Sequence, residues 1–341
     1  MLSSQLLAVL VNGLSNMIDT EDKTVLVTGG SGFIGTVICK LLVEQGHNVV
    51  NIDRKKKEIK GVTQYPFDIS NHQVEGIIKL TQPDTIIHLA AEHEVARSMV
   101  EPGVYYQNNV ANTIGLMNCA VESGVKNFIF SSSSTVYGNT THTPTPEHWP
   151  TNPVSPYGRS KTMVEQLMQD YENAYGIKCV SLRYFNAAGA MPDNSHGYVQ
   201  DPASHLLPIL AKRFANDETV TVFGDDYDTV DGTCERDYTH VCDIANAHVS
   251  AMTWLGSSDT GGTFNIGAGN SQSVKQVIAE FERVTGKTAT VEVQPRRAGD
   301  AAKTYADISL AQKCLNWQPQ YTLNDMVEHA WAWETKKKRK K

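Results

Sequence analysis

Thr24-Val-Leu-Val-Thr28 followed by Gly29-Gly-Ser-Gly-Phe-Ile-Gly35 is the stretch that decides the fold. Its first five residues are rich in β-branched side chains and read as a buried strand. Gly29, Gly32 and Gly35 then form a Gly-x-x-Gly-x-x-Gly turn, and a helical pattern runs on through Leu41, Leu42 and Val43 to a stop at Gly46. Glycines between a strand and a helix let the backbone approach a pyrophosphate, which rests on the positive end of the helix dipole. Asn48 to Ile52 is the next strand and closes on Asp53. A carboxylate at that place hydrogen-bonds the adenosine ribose hydroxyls and repels a 2′-phosphate. NAD is therefore favoured over NADP, although Arg54 and Lys55, Lys56 and Lys57 follow directly.

Outward from this unit, Thr85 to Leu89 and Phe128 to Phe130 read as further strands, with helices at 108–123 and 157–175. Strands alternating with helices predict an α/β fold, a Rossmann-type doubly wound parallel sheet. Beyond residue 186 the pattern turns irregular, with Pro192, Pro202 and Pro208. The expected division is an N-terminal extension (1–22), a dinucleotide-binding domain (23–186) and a smaller C-terminal substrate-binding lobe (187–334). Some segments of that lobe return to the first domain, and a basic tail (335–341) ends the chain. The Lys336–Lys341 run reads as solvated.

The 341 residues are enough for one large or two ordinary domains. A mean hydropathy of −0.32 and 40% hydrophobic residues are those of a soluble globular protein. The net charge of −7 argues against a nucleic-acid partner. No apolar run approaches the ~20 residues of a membrane span. The Leu6–Leu14 stretch has no basic flank or cleavage site, so it does not read as a secretory signal. Six scattered cysteines without a Cys-x-x-Cys pair fit the reducing cytoplasm. Cys234, His240, Cys242 and Asp243 lack the paired spacing of a zinc site, and no metal is expected.

Tyr157-Gly-Arg-Ser-Lys161 carries the chemistry. Four residues apart on a helix, the two side chains share a face. An ammonium beside a phenol favours the phenolate, which predicts a lowered tyrosine pKa and a proton acceptor. By itself the spacing more often marks two surface residues on a helix than a catalytic pair. The stripe Val164, Leu167, Met168, Tyr171 and Tyr175 on the same helix reads as core or subunit contact.

Thr28-Gly-Gly-Ser-Gly-Phe-Ile-Gly35, the Ser131–Ser134 run and Tyr157-x-x-x-Lys161, in that order, resemble the extended short-chain dehydrogenase/reductases. The run Ser131-Ser-Ser-Ser-Thr-Val-Tyr-Gly138 lacks the carboxylates that dehydratases and decarboxylases of this family place there. Tyr184-Phe-Asn-Ala-Ala-Gly-Ala190, the loop Phe223 to Val241 and Pro295-Arg-Arg-Ala-Gly-Asp300 resemble the UDP-galactose 4-epimerases, and the likeness runs from about residue 23 to 334. The resemblance implies a catalytic set of Ser133, Tyr157 and Lys161. It implies NAD contacts from Gly29, Gly32, Phe33, Ile34, Asp53, Asp68, Ile69, Leu89, Ala90, Ala91, Asn109, Ser131 and Tyr184. It implies a UDP-sugar site of Asn186, Leu206, Phe223, Arg236, Arg297 and Asp300, and a homodimer through the helices at 108–123 and 157–175. Arginines beside a pyrophosphate bind it with paired donors; surface ion pairs with Asp237 or Asp300 are the other reading.

Three departures from the epimerase pattern stand out. The Asp53–Asp68 stretch is short, which predicts a lost helix. His93 and His205 replace a lysine near the cofactor and an asparagine near the UDP, and are carried as further ligands. Thr304 stands where some members have tyrosine, so room for an N-acetyl group is expected. The implied reaction interconverts UDP-galactose and UDP-glucose: C4 is oxidised by tightly held NAD, the 4-keto sugar turns, and C4 is reduced on its other face. The alternatives are an epimerase of a UDP-uronic acid or dTDP-sugar, a net dehydrogenase, and a non-catalytic dinucleotide sensor or scaffold.

Overall fold

A computed structural model describes residues 22–297 and 299–339; the Leu6–Leu14 stretch and the last two lysines lie outside them. Strand β1 (Thr24–Thr28) is apolar and buried, and leads through the glycine turn into α1 (Phe33–Glu44). β2 (Asn48–Ile52) lies beside β1, and β3 (Val62–Tyr65) beside β2. No helix separates β2 from β3, in keeping with the short Asp53–Asp68 stretch. α2 (Gln73–Thr81) leads to β4 (Thr85–His88) on the other flank of β1.

Two short helices (Val95–Val100 and Pro102–Tyr105) and a π-helical turn (Tyr106–Ala111) then precede α3 (Asn112–Glu122). The helix expected over 108–123 therefore begins as a π turn, a feature common at functional sites. β5 (Asn127–Ser133), α4 (Pro156–Tyr175) and β6 (Lys178–Tyr184) follow. α4 starts cleanly because Ser155 Oγ accepts from the Gly158 N–H and Pro156 occupies the first turn. It ends at Gly176 with φ of 72°, a left-handed cap.

After β7 (Asn186–Ala188) the chain builds the second lobe around α5 (Leu206–Asn216), β8 (Val220–Phe223), β9 (Glu235–Arg236) and β10 (Tyr238–His240). It then returns. α6 (Val241–Ser257) packs on α1, and β11 (Gly262–Ile266) pairs with β6. β12 (Gln272–Ser273), α7 (Val274–Thr285), β13 (Val291–Gln294) and β14 (Lys303–Thr304) go back to the second lobe. α8 (Ser309–Leu315) joins the first layer again, and α9 (Leu323–Arg339) closes the chain on α5 and α7. The run read as a solvated basic tail is thus helical as far as Arg339. Lys336 is anchored there, donating to the Asn194 carbonyl at 2.7 Å.

The main sheet has the order β11-β6-β5-β4-β1-β2-β3, and its neighbouring strands are parallel. One face is covered by α1, α6 and α8, the other by α2, α3 and α4, each with its own apolar core. A third core, with Leu210, Phe214, Phe281 and Val327, holds the second lobe. Strand order reverses between β1 and β4. In open α/β sheets the ligand crevice lies at the carboxyl ends of the strands flanking such a reversal.

Candidate active site

The glycine turn sits at this reversal and is tight on all sides. Gly29 has φ of 75°, and a Cβ there would lie 2.8 Å from the Ala90 nitrogen. A Cβ on Gly35 would lie 2.3 Å from the Gly29 carbonyl oxygen. Only glycine fits either position, so turn, helix start and the Leu89–Ala90 segment form one close-packed cradle. Asp53 ends β2 beside it. Its carboxylate accepts from the N–H of Ser31 at 3.0 Å and from that of Lys55 at 2.7 Å, which fixes its direction. Arg54 pairs with Glu92 at 2.7 Å, and Lys57 turns to Thr36 and His196 at 2.9 and 3.0 Å. Both cations are thus engaged away from Asp53. Asp68 caps Ser70, and Ile69 packs on the core below β3.

A buried polar chain braces the opposite rim. Thr113 donates to the Asn109 carbonyl at 2.8 Å and so receives His88 Nε2 at 2.9 Å. His88 Nδ1 is then the acceptor for Thr28 at 2.7 Å. Burial drives the His88 pKa down to about 3, with the Lys161 charge adding to it, so the ring is neutral. Asn109 is 2% exposed and gives its amide to Glu92 and Ser160. It braces the loop that carries Ala90 and Ala91. Phe33 packs edge-on against Tyr198, and His196 lies 3.0 Å from the Phe33 carbonyl.

The catalytic candidates meet at the end of β5. Ser133 accepts from the N–H and hydroxyl of Thr135 at 3.2 and 2.9 Å, and it is near enough to Tyr157 to pull that phenol's pKa down. Lys161 is 2% exposed and donates to the Ser131 carbonyl at 2.7 Å, with its ammonium 5.7 Å from the Tyr157 ring centre. The expected lowering of the Tyr157 pKa by Lys161 does not hold here. Burial dominates, pushing the phenol up to about 12 against the pull of the Ser133 hydrogen bond. Burial also pushes Lys161 down to about 7, opposed by the nearby Glu165 carboxylate. Glu165 follows Lys161 by one turn and is itself held by Arg183 at 2.7 Å and by Ser132 at 2.5 Å. Tyr184, at the end of β6, bonds His248.

The residues expected around the UDP-sugar lie at β7 and in the second lobe. β10 pairs with β7, and Asn186 donates to the Asp237 carbonyl at 2.9 Å. Arg236 donates to the carbonyls of Glu235 and Ala301 and pairs with Asp300 at 3.3 Å. Asp237, the other suggested partner, is instead buried on the N–H groups of Ala268, Gly269 and Ala306. Arg297 stacks on Phe223 at 3.8 Å from the ring centre. Thr304 lies beside Arg236 in the β9–β14 pair. Leu206 opens α5. His93 reaches Gln200 at 3.0 Å, and its ring lies 6.3 Å from that of His205, bringing the two substituted histidines together. Burial and His93 hold His205 down to about 4.

Cys234, His240, Cys242 and Asp243 have structural duties. His240 caps α6 through the Cys242 N–H, and Asp243 accepts from the N–H groups of Gln320 and Tyr321. Among the described residues no group of three or more such side chains is placed to hold a metal, and no helix is long and apolar enough to cross a membrane. His88, Glu165 and His248 are site-bracing residues that sequence reasoning passed over. Their signals were faint: a histidine ending an apolar strand, and a glutamate at the next turn after Lys161.

A glycine cradle at the switch point, a carboxylate closing the second strand and a Tyr-x-x-x-Lys helix beside a serine-ended strand define a Rossmann-type nucleotide-dependent enzyme. The profile of the NAD dependent epimerase/dehydratase family matches residues 25–267, and the chain belongs to that family. It is 43% identical over 316 residues to the UDP-glucose 4-epimerase of Halalkalibacterium halodurans, covering 91% of this chain and 95% of that one. It superposes with a TM-score of 0.90 on the UDP-glucose 4-epimerase of Stenotrophomonas maltophila, solved with NAD and formylated UDP-arabinopyranose. The two are 36% identical over 94% of this chain and 100% of that one. The Bifidobacterium longum enzyme, solved with NAD+ and UDP, gives a TM-score of 0.87 at 36% identity, over 92% and 98% of the chains. The expected fold and family are borne out.

Proposed function

We propose that the chain interconverts UDP-galactose and UDP-glucose at C4. The observation that carries this is the meeting of Ser133, Tyr157 and Lys161 at the end of β5, on the strand next to β4 at the strand-order reversal. The cradle fits a dinucleotide: Gly29 and Gly35 leave no room for side chains, a Cβ on Gly32 would crowd the Gly29 carbonyl at 3.2 Å, and Asp53 is aimed by its two backbone donors. Phe33, Ile34, Asp68, Ile69, Leu89, Ala90, Ala91 and His93 would complete the NAD site, and Ser131 and Tyr184 would flank its nicotinamide end. Bound NAD supplies a two-electron acceptor for the sugar C4 that is regenerated within each cycle.

Tyr157 takes and returns the proton of the 4′-hydroxyl, and Ser133 holds the sugar oxygen at the phenol. The buried Lys161 ammonium stabilises the phenolate that accepts this proton and that re-forms when the proton is given back. Arg236 and Arg297 clamp the pyrophosphate, with Asn186, His205, Leu206, Phe223 and Asp300 around the nucleotide. Holding UDP while the hexose turns lets both faces of C4 reach the same acid/base pair. Arg54 and Lys57, occupied elsewhere, support NAD over NADP.

The test is conversion of UDP-galactose by purified protein with no NAD added, run beside UDP-N-acetylgalactosamine. Turnover supports an epimerase with retained cofactor; none on either sugar, with NAD supplied, points to another nucleotide sugar. Thr304 is smaller than tyrosine, and the pocket takes N-acetylhexosamines as well. Thr304→Tyr should shift the ratio of the two rates by about 10- to 100-fold against the N-acetyl sugar. An unchanged ratio would remove this residue as the gate.

The active species is a cytoplasmic homodimer paired through α3 and α4. Ile114 and Met163 are 37% and 43% exposed on those helices, and Met99 and Val100 add 60% and 81% on the segment alongside. Exposed large apolar side chains on these segments support an interface there.

A further inference from the structure

His248 is fully buried in the middle of α6 and has no role in the reaction described above. Its Nδ1 lies 2.8 Å from the Ile244 carbonyl, one turn earlier. A carbonyl only accepts, so Nδ1 carries the ring proton and Nε2 is an acceptor. The partner of Nε2 is the Tyr184 hydroxyl, through a short hydrogen bond. Tyr184 must therefore donate to His248, and the lone pairs of its oxygen remain free to accept.

We propose that His248 is a positioning residue: it fixes the Tyr184 hydroxyl as a donor towards α6 and so presents the Tyr184 oxygen to the nicotinamide end of the cleft in one arrangement. This rests on the reading of Tyr157 and Lys161 as the catalytic pair. A histidine that merely filled the core would need partners for its two nitrogens, but not one that leads into the site. Burial holds the imidazole pKa down to about 4, opposed only by the Ile244 hydrogen bond, so the direction does not reverse at neutral pH. Tyr184 is 6% exposed and its own pKa is raised by burial and by the nearby Tyr157, so it remains a donor.

A double-mutant cycle tests this. Tyr184→Phe, His248→Leu and the double variant are compared in two rates: kcat for UDP-galactose, and the reduction of bound NAD by borohydride, which needs no sugar. Each single variant should lower kcat by about tenfold, the loss expected for one oriented hydrogen bond, with KM within about twofold. The double variant should be no slower than either single one, and the borohydride rate should shift by a common factor in all three. His248→Gln, which keeps an acceptor near the Nε2 position, should recover most of kcat. Multiplying effects, or a His248→Leu protein with wild-type values in both rates, would overturn the proposal. Loss of thermal stability without a change in either rate would make His248 a core residue only. If the wild type does not turn over UDP-galactose, the reading of the substrate fails, while the borohydride comparison still decides the role of His248.

Discussion

Lys161 in the sheet lobe and Arg236 in the second lobe are both cations assigned to the site, and the fold holds them in different ways. Lys161 is 2% exposed, tied to one backbone carbonyl and stripped of water to the point where its pKa falls to about 7. Arg236 keeps 17% of its side chain exposed and is neutralised by Asp300 and two carbonyls. The first is a group made reactive by burial, because the charged form is costly there. The second is a group kept charged and orientated, which in the proposed function would exchange Asp300 for a pyrophosphate. On that proposal one group performs chemistry and the other provides grip, so damage to them should show in different kinetic constants.

The largest effect is expected on the reactive side. Tyr157→Phe should lower kcat by about 10²–10⁴-fold, the span of general acid–base catalysis, while the purified protein still carries NAD. Wild-type turnover in that variant would remove Tyr157 from the reaction. Next comes the cradle. Gly29→Ala places a methyl 2.8 Å from the Ala90 nitrogen at a φ that alanine avoids. It should cost about 1–3 kcal/mol and most of the bound NAD, read by thermal unfolding and by cofactor content.

On the gripping side, Arg236→Ala should raise KM for UDP-galactose by about 10- to 100-fold with a smaller change in kcat. Arg297→Ala, at an exposed arginine stacked on Phe223, should raise KM less. Equal losses of kcat in both variants would erase the distinction between chemistry and grip. The smallest effect is on stability. Between about pH 7 and 10.5 the unfolded chain binds the Lys161 proton that the folded chain has released, so stability should rise with pH across that window. Denaturant titrations should show that slope weakened in Lys161→Met, a variant at least as stable as wild type at pH 7 but inactive.

The sequence was legible where local chemistry is dense. The glycine turn, Asp53 and the Tyr157–Lys161 spacing each act within a few residues, and the structure finds each on its expected element. Less legible was whatever depends on partners distant in the chain. The charge of Lys161 depends on burial under β5, which no spacing reveals, and so the direction of the Tyr157 shift was misread. His88 and His248 look like stray polar residues until their partners are known, and those are set by packing between α3 and β4 and between β6 and α6. The π turn at Tyr106–Ala111 carries no glycine or proline to mark it. The lysine-rich end reads as solvated because composition outweighs its helical continuity with α9.

The return of the chain to pair β11 with β6 has a consequence for biosynthesis. A nascent chain that has emerged only as far as Tyr184 exposes β6 as an open strand edge beside a finished nucleotide turn. Such edges invite pairing with other chains. The covering strand ends at Ile266, after the whole sugar-side loop has been translated. Ribosome pausing between these two points would thus leave the protein most in need of a chaperone, and a gene cut after residue 186 would encode a fragment that keeps its cradle but never closes its sheet.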